Sequence, residues 1–175
     1  GSAATTAGAN DEWGSIEGQF LLDGEIPVLK PVVAKGDPGV RDCQVCAAND
    51  VPDESLVVNP DNKGIANICL YVLKAPKSIH PDQQASTVKE VVFDQAGCRF
   101  TPHLLIVRTD QTVLVKNGDS ILHNIKINPR RNPPLNLVLR ANERNGVPCQ
   151  MTRSELTGGP VEVNSDFHPH MRAHW

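Results

Sequence analysis

The 175-residue chain carries 17 Lys and Arg against 20 Asp and Glu, a formal net charge of −3. That balance gives no electrostatic case for nucleic-acid binding, and no apolar run is long enough to span a bilayer. With 13 Gly, 14 Pro and 39% hydrophobic residues, the composition favours strands, turns and long loops over a helical bundle.

Gly1-Ser2 reads as a cloning remnant, so the absence of a leader carries no information. Residues 1–11 are small and polar and are expected to form a disordered lead-in. Residues 12–175 suffice for one domain with a proper core. Ser15 to Leu22 alternates around Ile16, Phe20 and Leu22, and Pro27 to Val33 resumes as an extended, proline-punctuated segment. Together they predict a hairpin or edge pair. Residues 34–53 form a long loop rich in Gly, Asp and Pro and closed by Cys43-x-x-Cys46; a loop of that length needs pinning.

Ser55 to Val58 predicts a short strand. The nearly unbroken apolar run Ile68-Cys69-Leu70-Tyr71-Val72-Leu73 predicts a sandwich-core strand. Ala75 to Gln84 reads as a surface excursion that carries an exposed His80. Further strands are expected in Ser86–Phe93, Phe100–Arg108, Thr112–Lys116, Leu122–Ile127 and Leu135–Leu139, with Val161–Val163 alternating into the last loop. Asn117-Gly118-Asp119-Ser120 is a strong turn signal, and Ala141 to Pro148 reads as loop. About seven to nine short strands at hairpin-like spacing predict an all-β, antiparallel Greek-key β-sandwich. Arg172 to Trp175 has room for only the start of a final strand.

Five cysteines stand at positions 43, 46, 69, 98 and 149. Cys43-x-x-Cys46 fits half a zinc site or a redox motif. No second CxxC follows, however, and its Pro38, Gly39 and Asn49 surroundings read as loop. Disulfides in an oxidising compartment are the alternative. Cys69, inside its apolar run, reads as a buried free thiol.

The chemistry concentrates near the C-terminus, in Ser165-Asp166-Phe167-His168-Pro169-His170-Met171-Arg172-Ala173-His174-Trp175. Imidazole is a common ligand for copper, zinc and nickel, and thioether sulfur favours copper. His123 lies upstream on a predicted strand and is expected to meet this loop in space. Each residue has a second, metal-free reading. His123 and His168 could pack and hydrogen-bond to backbone. Met171 could fill core. His170 reads as an exposed surface histidine or a recruited extra ligand, and His103 follows a proline at a strand start.

At these residues the chain resembles the cupredoxins. His123-Asn124 resembles the first copper histidine and its following asparagine in plastocyanin-like proteins. Ser165-x-x-His168-x-x-Met171 has the spacing of the amicyanin-type Cys-x-x-His-x-x-Met loop, with Ser165 in the thiolate's place. The segments Val51-Pro52-Asp53-Glu54-Ser55-Leu56-Val57-Val58, Gly64-Ile65-Ala66-Asn67 and Cys98-Arg99-Phe100-Thr101-Pro102-His103 are similar to cupredoxin-like domains of planctomycete and methylamine-utilisation-type proteins.

The resemblance implies a cupredoxin-like sandwich, periplasmic or exposed at the cell surface, holding copper through His123, His168 and Met171. Ser165 would be a weak or absent ligand, so the site would not be blue. A redox or copper-donor protein would be its partner. Asn124 would tie the His123 strand to the Ser165 loop. The resemblance also implies a Cys46–Cys98 disulfide, with Cys43–Cys149 as an extra pair. The alternative is a metal-free structural or interaction domain. An enzyme is not expected: no glycine-rich phosphate loop, HExxH, nucleophile elbow or convincing carboxylate pair is present.

Overall fold

A computed structural model describes residues 13–72, 74, 76–155 and 158–175. The expected lead-in at residues 1–11 lies outside the described residues. Two four-stranded sheets face each other. The first has the order β2-β1-β3-β6, from β1 (Glu90–Gln95), β2 (Phe100–Thr101), β3 (Thr112–Val115) and β6 (Val147–Cys149). The second has the order β5-β4-β7-β8, from β4 (His123–Ile127), β5 (Leu135–Leu139), β7 (Glu162–Asn164) and β8 (Arg172–His174). After β3 the chain crosses to build the β4–β5 hairpin and then returns as β6, antiparallel to β3. This is the all-β sandwich expected, with one departure from antiparallel pairing: β1 and β3 run parallel, Val91 beside Val113 and Phe93 beside Val115.

Alternation selects the core. Phe93, Val113, Val115, Ile125, Ile127, Leu139, Val163 and Ala173 point inward and are buried, because successive strand side chains face opposite sides of a sheet. Phe93 stacks on Phe100 at 5.3 Å and meets the Trp175 ring edge-on at 5.1 Å. Such aromatic pairs add to simple burial.

Several expected elements come out differently. Ile68–Val72 forms no strand, and Leu70 and Val72 are 76% and 69% exposed. An apolar run does not by itself supply a partner strand. Here Cys69 and Tyr71 line an apolar groove with Leu105, Val107, Met151 and Trp175. Leu73 lies outside the described residues. The hairpin expected before Val33 and the strand at Ser55–Val58 reduce to isolated bridges, Leu21 with Gly64, Val33 with Val51 and Val58 with Ile65.

The strand expected over Phe100–Arg108 ends at Thr101, where Pro102 has no N–H to donate. Only one parallel bridge follows it, Leu104 with His174. β6 occupies residues read in part as loop. Its Pro148 is tolerated because β6 is an edge strand.

The long loop of residues 34–53 contains a single helical turn, α1 (Cys43–Cys46). It is pinned by the Cys46–Cys98 disulfide across a separation of 52 residues. Val33, Ala47 and Val51 form a small core beneath it. The extra pair Cys43–Cys149 does not form: both are free thiols, as is Cys69. Cys43 packs on the small core, whereas Cys149 sits on β6 opposite Val113 and packs on the main one.

Truncating Phe93 removes the ring on which both Phe100 and Trp175 pack. Phe93→Ala should cost about 3–5 kcal/mol of unfolding free energy, read as a lower urea midpoint with little change in slope.

Candidate metal centre

The turn between β3 and β4 is built by a buried asparagine. Asn117 Nδ2 donates to the carbonyls of Ile121 and Arg140 at 2.7 and 2.8 Å, and its Oδ1 accepts from Asp119 N at 3.0 Å. This turn delivers Asp119 and, at the start of β4, His123. On the opposite side, β7 ends at Asn164 and the chain turns through Ser165 to His168 before entering β8.

The two imidazoles meet, as expected. His123 and His168 are 0% and 1% exposed, their ring centroids are 4.6 Å apart, and their Nδ1 atoms face each other at 3.0 Å. Each ring is anchored from behind. His123 Nε2 donates to Asp119 Oδ2 at 2.9 Å, and His168 Nε2 donates to Asp42 Oδ2 at 3.0 Å. An ionised carboxylate only accepts, so each anchored Nε2 carries a proton, and a ring with no second proton leaves its lone pair on Nδ1. Two lone pairs 3.0 Å apart repel unless a proton or cation lies between them. A carboxylate behind each imidazole is also the usual outer partner of a metal-ligating histidine. The donor set therefore fits a metal, through the two Nδ1 atoms.

Burial pushes the Asp119 pKa up. Hydrogen bonds from His123 and from the backbone N–H groups of Cys98 and Gly97 outweigh it and hold the carboxyl below its ordinary value. The two N–H groups reach its two oxygens at 2.9 and 2.7 Å. For His168, burial dominates and lowers the pKa, and repulsion from His123 adds to it; the Asp42 hydrogen bond opposes both.

Ser165 is buried, and its hydroxyl is fully used. Oγ donates to Asn124 Oδ1 at 2.9 Å and accepts from the N–H groups of His168 and Phe167 at 3.0 and 3.2 Å. A hydroxyl offers one donor and two lone pairs, so nothing remains for a metal. Asn124 Oδ1 also takes the Asp166 and Phe167 N–H groups, at 3.0 and 3.2 Å, and Asn124 Nδ2 donates to Asn136 at 2.9 Å. The tie from the β4 strand to the loop thus runs through the Ser165 side chain as well as through backbone.

Met171 is 2% exposed within the main core, and its N–H closes the turn onto the His168 carbonyl at 2.9 Å. His170 is not on an exposed face. It is half-buried, its Nε2 has no partner, and burial lowers its pKa. It packs 6.1 Å from His168 because the Pro169 turn folds it back. His103 makes no structural hydrogen bond through Nδ1, which stands 3.8 Å from Glu54 Oε2. His103 packs against His174 with ring centroids 5.8 Å apart. His80 caps a short 3-10 turn by accepting from Asp82 N at 3.2 Å.

Sequence reasoning did not find Asp42 or Asp119. Asp119 sits four residues before His123 in a recognised turn, and asking what orients that ring would have found it. Asp42 gave no signal, since its contact with His168 spans 126 residues. Nearby, a sulfur of Cys98, a carboxylate oxygen of Asp119 and a ring nitrogen of His123 lie within 4.8 Å of one another. Cys98 is spent in the disulfide, and so offers no thiolate.

No protein-family model matches the chain, and no curated protein does. Similar solved structures include the Cu-containing nitrite reductase from Thermus scotoductus SA-01, at 20% identity over 48% of this chain and 21% of that one, with a TM-score of 0.41. Another is the reduced Cu(I) form at pH 4 of a mutant of amicyanin, at 19% identity over 53% of this chain and 83% of that one, with a TM-score of 0.33. The chain spans about a fifth of the length of the nitrite reductase.

Ser165→Ala should destabilise the fold by about 1–3 kcal/mol, because it strands the buried His168 N–H, and leave Cu(II) affinity unchanged in a titration. Asp119→Asn should cost a similar amount at neutral pH, about 1–3 kcal/mol. The ionised Asp119 stabilises fully above the ordinary carboxylate pKa, and that contribution is lost as pH falls through its lower folded value. Urea melts should therefore show the gap between wild type and Asp119→Asn narrowing below about pH 4.

Proposed function

We infer that this chain is a cupredoxin-like metal-binding module that holds copper through the Nδ1 atoms of His123 and His168. Met171 is the thioether that completes the set. The observation that carries this reading is the 3.0 Å approach of two Nδ1 atoms whose rings are both anchored through Nε2. Such an arrangement is costly to bury unless a proton or a metal ion lies between the two nitrogens.

Copper bound here supplies a one-electron redox centre. With Ser165 in the sulfur's place the site is not blue, since strong thiolate covalency is missing. Copper storage or handover suits it better than fast electron transfer. The partner is then a redox protein or a copper donor. The paired imidazoles are read as a binding site, and the role as non-catalytic. The Cys46–Cys98 disulfide supports an oxidising compartment, periplasmic or outside the cell. Among the described residues no helix is long and apolar enough to cross a membrane.

A second reading, a metal-free interaction domain, draws on the saturated Ser165 hydroxyl. The two part in one experiment. Fully oxidised protein titrated with Cu(II), followed by calorimetry and electron paramagnetic resonance, should bind one equivalent with nitrogen hyperfine coupling. His123→Ala and His168→Ala should each weaken binding by more than about tenfold, the least that loss of even an outer partner costs. Equal, weak binding in all three proteins would leave only the metal-free domain.

A further inference from the structure

Cys43 is a free thiol, three residues before the disulfide-bonded Cys46 in the single turn α1. Residues three apart on a helix share a face, with Cβ atoms about 5–6 Å apart. A disulfide needs about 3.5–4.5 Å, so a small local adjustment would join Cys43 to Cys46. Cys43 is partly exposed and can lose its proton to solvent, whereas Cys46 and Cys98 are 1% and 0% exposed.

The other half of the disulfide lies against the metal centre. Cys98 sulfur, Asp119 carboxylate and His123 imidazole converge within 4.8 Å. The position of Cys98 is also held by backbone contacts that do not involve Cys46. Gly97 and Cys98 both have positive φ, 62° and 53°, which aims their consecutive N–H groups at the two Asp119 oxygens. A sulfur released from Cys46 would therefore stay beside Asp119 and His123. Thiolate, imidazole and carboxylate form a donor set suited to zinc, cobalt(II) or copper(I).

We propose that Cys98, Asp119 and His123 form a thiolate-containing metal site that the disulfide masks, and that Cys43 unmasks it by taking Cys46 from Cys98. This goes beyond the paired-imidazole reading, with which it shares His123 and the Asp119 that anchors it. Cys43 gives its proton to solvent, and its thiolate attacks Cys46 Sγ. The Cys43–Cys46 bond forms as the Cys46–Cys98 bond breaks, and the bonding pair leaves on Cys98 Sγ. The protein holds one disulfide before and one after, so no oxidant or reductant is consumed. The Cys98 thiolate goes to the metal ion instead of to a proton. His123 frees Nε2 for the ion by carrying its proton on Nδ1, where His168 Nδ1 accepts it at 3.0 Å. Metal binding draws the exchange forward.

The protein's own cleavage sites make the test direct. Trypsin cuts after Arg41, Lys63, Lys89 and Arg99, so Cys43 and Cys46 share the peptide 42–63 and Cys98 lies in 90–99. Oxidised protein is held without oxygen, with and without Co(II), then alkylated, digested and weighed. Without Co(II), peptides 42–63 and 90–99 should be cross-linked, with Cys43 alkylated. With Co(II), an intense near-ultraviolet thiolate-to-cobalt band should appear. Peptide 42–63 should then carry an internal disulfide, and Cys98 should be protected or alkylated.

Cys43→Ser keeps the Cys46–Cys98 bond and should lose the band by at least about tenfold, having no attacking thiolate. Cys46→Ser should give the band with no exchange needed. His168→Ala should keep the band while losing the Cu(II) site of the imidazole pair, so the two readings fail separately. Cross-linked peptides persisting in wild type at saturating Co(II), or a band of equal size in Cys43→Ser, would overturn the proposal.

Discussion

Two carboxylates determine what the buried end of this sandwich can do. Asp119 and Asp42 hold His123 and His168 by their Nε2 atoms, and each therefore decides which nitrogen its ring presents. Nothing else in the pair is free to vary. The rings are sealed from solvent, their Nδ1 atoms oppose each other, and a neutral pair in that geometry repels itself. A proton or a metal ion between them relieves the repulsion.

The loop after β7 is rigid for a separate reason. Asn124 and Ser165 satisfy one another and three consecutive backbone N–H groups, those of Asp166, Phe167 and His168. Arg41 lies over the Phe167 ring, 4.8 Å from its centre, and closes the long N-terminal loop onto the same segment. The serine is thus a structural centre in the position where the resemblance implies a sulfur ligand. Its hydroxyl makes the loop geometry independent of metal.

Much of this was legible in the sequence, and the reasons differ by element. Apolar or alternating runs between turn signals placed β1, β3, β4, β5 and β7, because strands that line a core must show one or the other. The histidine spacing located His123 and His168, and their meeting followed from the sandwich. Ile68–Val72 misled because apolar continuity reports burial preference and not strand pairing; its side chains serve a groove instead. Pro148 hid β6, because proline is tolerated only where a strand lies at an edge, and edge position is not written locally. The Cys43–Cys149 pairing failed because it required two residues that pack on different cores to meet. Asp42 was invisible because its partner is almost the whole chain away.

That last distance bears on how the molecule reaches its final state. A contact between Asp42 and His168 encloses 126 residues, whereas the β4–β5 hairpin closes within a few. Loop-closure entropy makes distant contacts late. Both sheets can assemble before the N-terminal loop arrives, and until then the His168 ring is free to turn either nitrogen inward. Until that contact forms, nothing fixes the His168 tautomer, so competence to hold an ion depends on the N-terminal loop being docked.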